Sequence, residues 1–411
     1  MAGALVGGAF LSAFLQVLFD RIASSEVADF FRGRILSDGL LRKLKIALLS
    51  VNAVLEDAEE KQVTKSAVKE WLDELKDAVY DAEDILDEIA SKALQRKLDA
   101  EFLTSGCKAQ SFISASLNPF AKEIEPKIQE VLDRLEYLAR QKDVIGLREV
   151  VGGKPSERLP TTSLVEESDI CAKFVSGQFS FRLEGDYSHE LVNKTRHLSY
   201  FKTRFDSSKK FEDLYKAKRL RTFLSLTLPR SSETFYLTKK LTHDLLPMLR
   251  CLRVLSLSHY SNMTDLPDSI GKIKHLRYLN LSFTAVKRLP DSICKLCNLQ
   301  TLKLLGCRCL AVLPKDMWRL INLRHLDISE TSLKEMPIQL GRLKCLHTLT
   351  TFIISKHSGS CIGELGKLSS LRGMLSILEL QNVASPTDAL NAGLKDKRYL
   401  EELVLEWSAD T

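Results

Sequence analysis

Apolar residues return every third or fourth position through most of the first 145 residues, and in six-residue groups every 23 or 24 positions later in the chain. The first pattern predicts helices. Leu41, Leu44, Leu48, Val51 and Leu55 form one stripe, which EEKQVTKS interrupts. Thr64 or Ser66 then supplies a side-chain oxygen to cap the next helix. Val68, Leu72, Leu75, Val79, Ala82, Leu86 and Ile89 continue the spacing, and Trp71 and Ile85 widen the stripe toward core size. A first helix is expected from about Leu5 to Ile22, and a last one carries Ile128, Val131, Leu135, Leu138 and Ile145. Short connections between such helices favour antiparallel packing, so residues 1–148 are expected to form a four-helix bundle.

The second pattern has the form LxxLxL. It starts at Leu252, Leu276, Leu299, Leu323 and Leu346, with looser copies at Leu220, Leu375 and Leu400. A fixed period in the twenties with this signature is an α/β leucine-rich-repeat solenoid, assigned to 191–411. The sequence stops after a strand with no polar capping repeat, so the array is expected to be C-terminally incomplete. Alternate strand residues face outward. One outward row reads Val254, Tyr278, Thr301, His325 and Thr348; the next reads Ser256, Asn280, Lys303, Asp327 and Thr350. Tyr278, Asn280, Lys303, His325 and Asp327 are the candidates for a concave recognition surface. A column just before these rows reads Arg253, Arg277, Gln300, Arg324 and His347, with Arg221 upstream.

Charge adds an asymmetry. Residues 1–105 hold 19 acidic against 13 basic side chains, whereas 252–350 hold 15 basic against 7 acidic. On the third predicted helix Asp77, Asp81, Asp84 and Glu88 share a face, with Glu83 and Asp87 beside them. This strip is either solvated or a docking surface for a basic partner. Carboxylates at i and i+4 are about 6 Å apart, and neighbouring strand rungs about 4.8 Å, so strip and arginine column are roughly commensurate. Nine scattered cysteines suit a reducing compartment. Cys294, Cys297, Cys307 and Cys309 resemble a zinc set in spacing but fall on repeat positions, so no metal is expected. Basic residues without interleaved aromatics argue against nucleic acid. Three sequons, at Asn193, Asn262 and Asn280, would matter only in a secreted chain. The first charge is Asp20. The segment before it lacks a basic signal-peptide start, and is expected to be a buried helix rather than a membrane span.

AVLEDAEEKQ, VKEWLDELKDAVYDAEDILDEI and EIEPKIQEVLDRLEYLARQKDVIGL resemble the Rx-type coiled-coil domain of plant disease-resistance receptors, which also carry a nucleotide-binding module and leucine-rich repeats. EDILD, Glu83 to Asp87, stands where that family has its acidic signature. The resemblance implies that Asp81, Glu83, Asp84 and Asp87 pack on Arg253, Arg277 and Arg324, with Gln300 interrupting the column. It also implies that a nucleotide-binding module should lie between TTSLVEESDI and AKFVSGQFSFRLEG. Here Cys171 runs straight into Ala172, so 149–190 is read as a linker and junction from which the module is missing. The nearest phosphate-loop lookalike, GLREVVGGKPSE, has Arg148 at the place of the first glycine and Pro155 after Lys154. THDLL at Thr242–Leu246 mimics a His-Asp sensor with no site to serve. No cofactor is therefore expected, although ADP and ATP serve the intact family. The expectation is a cytoplasmic immune protein, peripheral at the plasma membrane in one reading, that binds host or pathogen proteins through the repeat. Self-association or pairing with full-length receptors would use the helical domain. A membrane-active signalling protein and a non-functional truncated or splice product remain alternatives, and enzymatic chemistry is not expected.

Overall fold

A computed structural model describes residues 8–24, 27, 35–103, 117–149, 180–182, 195–227, 234–356 and 361–407. The chain divides into two compact units, 1–161 and 162–411.

The first unit is helical. Its helices are α1 (Gly8–Ile22), α2 (Ile35–Asn52), α3 (Leu55–Lys61), α4 (Ser66–Leu103) and α5 (Leu117–Val144). The stripe from Leu41 to Leu55 is thus not one helix. Val54 leaves helical geometry with φ −109° and ψ 3°. The turn re-aims the chain so that Val51, Val54, Leu55 and Ala58 are all buried. Leu11, Leu15 and Leu18 of α1 share one core with Leu44, Leu48 and Val51 of α2, Leu75 and Val79 of α4, and Leu132 and Leu135 of α5. The apolar face of α1 is therefore spent on packing, at about 1.5–3 kcal/mol for each large side chain buried. Phe14 meets Tyr80 edge to face at 4.9 Å, and Trp71 donates its indole N–H to the Leu138 carbonyl at 3.0 Å. Gly146 ends α5 with φ +73°, and Leu147 N–H reaches back to the Lys142 carbonyl at 2.9 Å. This glycine of the phosphate-loop lookalike is thus a helix cap; the rest of that loop beyond Glu149 lies outside the described residues. No described helix is long and apolar enough to cross a membrane.

The second unit is a solenoid. Strands β1 (Ser180–Arg182), β2 (His197–Phe201), β4 (Thr222–Leu226), β6 (Val254–Ser256), β7 (Tyr278–Asn280), β8 (Thr301–Lys303), β9 (His325–Asp327) and β10 (Thr348–Leu349) form one parallel sheet in that order. β1 pairs with β2 from inside the segment that the sequence assigns to the junction. A second parallel sheet holds β11 (Thr351–Ile353), β12 (Arg372–Leu378) and β13 (Tyr399–Leu405), and β3 (Phe205–Asp206) pairs with β5 (Tyr236–Leu237). The break between the large sheets falls where the repeat period slips. Each strand of the regular repeats drives one leucine inward: Leu255, Leu279, Leu302, Leu326 and Leu349 are buried. The returning side is made of short 3-10 turns such as Asp268–Lys272 and Asp291–Lys295, each entered from a proline. Proline has no N–H and fixes φ, which suits an abrupt turn better than a long helix.

Candidate interaction surface

The arginine column is a continuous backbone zipper. Arg221 N–H donates to the Arg196 carbonyl at 2.6 Å, Arg253 to Arg221 at 2.7 Å, and Arg277 to Arg253 at 2.8 Å. Gln300, Arg324, His347 and Arg372 each donate to the preceding rung at 2.7–2.8 Å. Each of these carbonyls up to Arg324 also accepts the N–H of the residue after the next rung, as Arg253 does from Tyr278 at 3.0 Å. The expected members Arg221, Arg253, Arg277 and Arg324 therefore stand in one line, with Gln300 in it. Arg196 and Arg372 extend that line at both ends. Sequence reading missed them because LxxLxL is degraded around both. The available signal was a basic residue just before each strand, in TRHLSY and LRGMLSIL.

Burial changes along the line. Arg196, Arg221 and Arg253 are buried, Arg277 and Gln300 are half-buried, and Arg324 and Arg372 are exposed. The outward rows follow the expected register: Val254 faces Tyr278, Tyr278 faces Thr301, and Thr301 faces His325. Lys303 and Asp327 are half-buried, whereas Tyr278, Asn280 and His325 are buried. Asn280 uses its side-chain oxygen to accept the Ser282 N–H at 2.9 Å, closing a turn. Two histidines lie in the basic field of the column. His197 is pushed down to about 3 by burial and then by Arg221, Arg196 and Arg253; its Nδ1 lies 2.9 Å from Thr222 Oγ1. His325 is pushed down to about 4 by burial and then by His347, Arg372, Arg324 and Lys303. Both are therefore neutral imidazoles at neutral pH.

On α4 the acidic strip is not uniformly solvated. Glu83 and Asp87 are buried, and Asp77, Asp81, Asp84 and Glu88 are half-buried. Neighbouring helices supply counter-charges: Arg134 bonds Asp81 at 2.6 Å, Lys127 lies 3.3 Å from Glu88, and Arg21 pairs with Asp87. Part of the strip is thus used to fix α1 and α5 against α4. Helical periodicity placed Asp77, Asp81, Asp84 and Glu88 on one face but could not show which helices reach them.

A polar knot near the start of the solenoid was not legible in the sequence. Asp206 is buried and accepts from Lys210 Nζ at 2.7 Å, Thr203 Oγ1 at 2.6 Å and the Tyr260 hydroxyl at 2.5 Å. Tyr200 joins Tyr260 at 2.8 Å. Burial pushes both phenols far above their ordinary range, so the knot is a fixed structural network. The cysteines of the zinc lookalike are repeat residues: Cys307 is buried and donates to the Leu281 carbonyl at 3.1 Å, and Cys309 is exposed. Among the described residues no three His, Cys, Asp or Glu side chains are grouped to hold a metal ion. THDLL lies in a helical turn at Leu241–Leu245.

Residues 10–142 match the Rx N-terminal domain family, and 229–410 match a leucine-rich repeat region family. A disease resistance protein of Arabidopsis thaliana is 54% identical over 237 residues, covering 58% of this chain and 17% of its own length. The disease resistance RPP13-like protein 1 of the same plant is 44% identical over 169 residues, covering 40% and 16%. The chain thus spans less than a fifth of the length of these relatives. An internalin from Listeria monocytogenes superposes with a TM-score of 0.41 at 15% identity, covering 55% of this chain and 65% of that one. The chain thus carries an Rx N-terminal domain and a leucine-rich repeat region, and it is similar to plant proteins named as disease resistance proteins.

Proposed function

We propose that the chain acts in plant immunity as a binding protein, without catalysis and without a nucleotide switch of its own. The observation that carries this reading is the arginine-rich column on its continuous backbone zipper. Six arginines sit on eight rungs of a rigid parallel scaffold, a surface built to receive carboxylates. Arginine presents several N–H donors in a fixed fork and meets carboxylates in bidentate fashion. The acidic segment Asp77–Glu88 offers the complementary chemistry, so it is one natural ligand of the upper rungs; acidic segments of host or pathogen proteins, of a second copy, or of full-length receptors are others. The half-buried concave residues Lys303 and Asp327 then grade the fit. The cytosol is the proposed compartment: the seven described cysteines are all free thiols, as a reducing environment requires. Peripheral association with the plasma membrane would need α1 to leave the core it shares with α2 and α4.

The test uses residues 1–148 and 191–411 expressed separately. The two should bind at low ionic strength and lose affinity as the Debye length shrinks from about 10 Å at 0.1 M to about 3 Å at 1 M. Asp77→Lys with Asp84→Lys should abolish the interaction. Affinity indifferent to both salt and charge reversal would overturn the reading.

A further inference from the structure

The lower end of the basic column differs from the upper end. Gln300 interrupts the charge above Arg324, and a register shift between Gly373 and Met374 bends β12 just past Arg372. Between them lie Arg324, His347 and Arg372 on consecutive rungs, joined by backbone bonds of 2.7 and 2.8 Å. The outer two are exposed and make no ion pair with any described residue. Strand spacing puts these two backbones about 10 Å apart, within reach of one small ligand from both sides.

His325 stands beside them. It is 3% exposed, and its ring is stacked on His347 at 6.2 Å. Nδ1 is 3.0 Å from Thr348 Oγ1, while Nε2 is buried with no hydrogen-bond partner. A buried imidazole nitrogen without a partner is unfavourable. The groups around this ring are Arg324 on its own strand, Lys303 on β8, His347 and Thr348 on the next rung, and Arg372 on β12. The nearby carboxylate is Asp327, already taken by Thr350 Oγ1 at 3.2 Å and Ser329 N–H at 3.3 Å.

We propose that Arg324, His347 and Arg372, with His325 and Lys303, form a site for the phosphate monoester of a phosphorylated partner protein. Lys303, Arg324 and Arg372 bring three positive charges to neighbouring rungs, which calls for a ligand with more than one negative charge. A phosphomonoester carries about −1.5 to −2 at neutral pH and three acceptor oxygens. Paired arginines bind phosphate with short, charge-assisted bonds. A carboxylate brings one charge. A bound dianion also supplies what the neutral histidines lack, since it draws a proton onto the ring that the surrounding cations otherwise exclude. The site uses the lower rungs of the column, and its test does not involve the acidic segment of the bundle.

The test is calorimetric titration of the full chain with a phosphothreonine pentapeptide and with the same peptide bearing glutamate instead. The phosphopeptide should bind at least about tenfold tighter. Arg324→Gln and Arg372→Gln should each weaken it about tenfold with an unchanged melting temperature, whereas Arg308→Gln should not. Heats measured at pH 6 in two buffers of different ionisation enthalpy should reveal proton uptake, reduced in His325→Asn. Equal affinity for the glutamate peptide, affinity indifferent to both arginine changes, or binding without proton uptake would each overturn the site.

Discussion

A leucine in the bundle and a leucine in the solenoid are buried equally well but held by different amounts of chain. Leu15 shares its core with Leu48, Leu75 and Leu135, so four helices spread over 120 residues meet around it. Leu302 is equally inaccessible, yet its strand β8 pairs only with β7 and β9. One core is closed and cooperative, whereas the other is a stack in which each repeat leans on its neighbours. Damage should therefore spread through the whole bundle and stay local in the solenoid.

The largest expected effect is that of Leu15→Glu. An unpaired carboxylate in the closed core should cost more than about 4 kcal/mol. Amide exchange protection should fall together in α1, α2, α4 and α5 while the solenoid keeps its own. Retained protection in α2 or α5 would show that α1 is a detachable accessory and that the bundle is less cooperative than its packing implies. Leu302→Ala should cost about 2–5 kcal/mol, with protection lost at β7 to β9 and kept at β2 and β12. A uniform loss across the solenoid would break the contrast.

Two smaller effects sharpen it. Gly306 has φ +69°, and a Cβ there would meet the Phe283 ring at 2.5 Å. Phe283 stacks on His259 at 4.7 Å, so Gly306→Ala should cost about 1–2 kcal/mol through backbone strain, read as a drop in the solenoid transition alone. The smallest effect is one of pH, and its sign differs between the units. Burial raises Glu59 in the bundle to about 7, with Lys76 opposing. Its neutral form is favoured by folding, so its contribution is full below the ordinary glutamate range and is lost as pH rises toward 7. His197 and His325 in the solenoid are held near 3 and 4. Their contributions are present above about 6.5 and are lost as pH falls through the window down to those values. Acidification from pH 7.5 to 5 should therefore lower the solenoid transition, while Glu59 pushes the bundle transition up. Glu59→Gln should flatten the bundle's response, and His197→Asn the solenoid's.

The same contrast governs what could be read from the residues. The solenoid strands begin where the leucine spacing puts them, because one strand per period is dictated by local sequence: Val254, Tyr278, Thr301, His325 and Thr348 all open strands. The long helix α4 follows from its stripe for the same reason. Legibility ended where a side chain depends on a distant partner. The pairs Asp81–Arg134 and Arg21–Asp87 join residues from separate helices, and neither period reports how one helix is turned against another. Asp206 and Tyr260 lie 54 positions apart with nothing periodic to connect them. The turn at Val54 was hidden because a stripe of 3 and 4 steps continues across it, while backbone geometry does not. Arg196 and Arg372 escaped for the opposite reason: their geometry is regular and the leucines around them are not.

The backbone zipper beneath the column has a consequence for how such a surface changes over generations. Every rung is fastened by main-chain N–H and carbonyl groups, and the bonds made by Gln300 and His347 are as short as those made by the arginines. From Arg277 onward, where the side chains reach solvent, the scaffold is therefore blind to which of them it displays. An exchange among arginine, glutamine and histidine there alters what the protein binds while leaving the strand register intact. Variation can accumulate one position at a time, each step tested against a partner rather than against folding. That is a molecular form of evolvability, in which recognition drifts freely over a frame that does not.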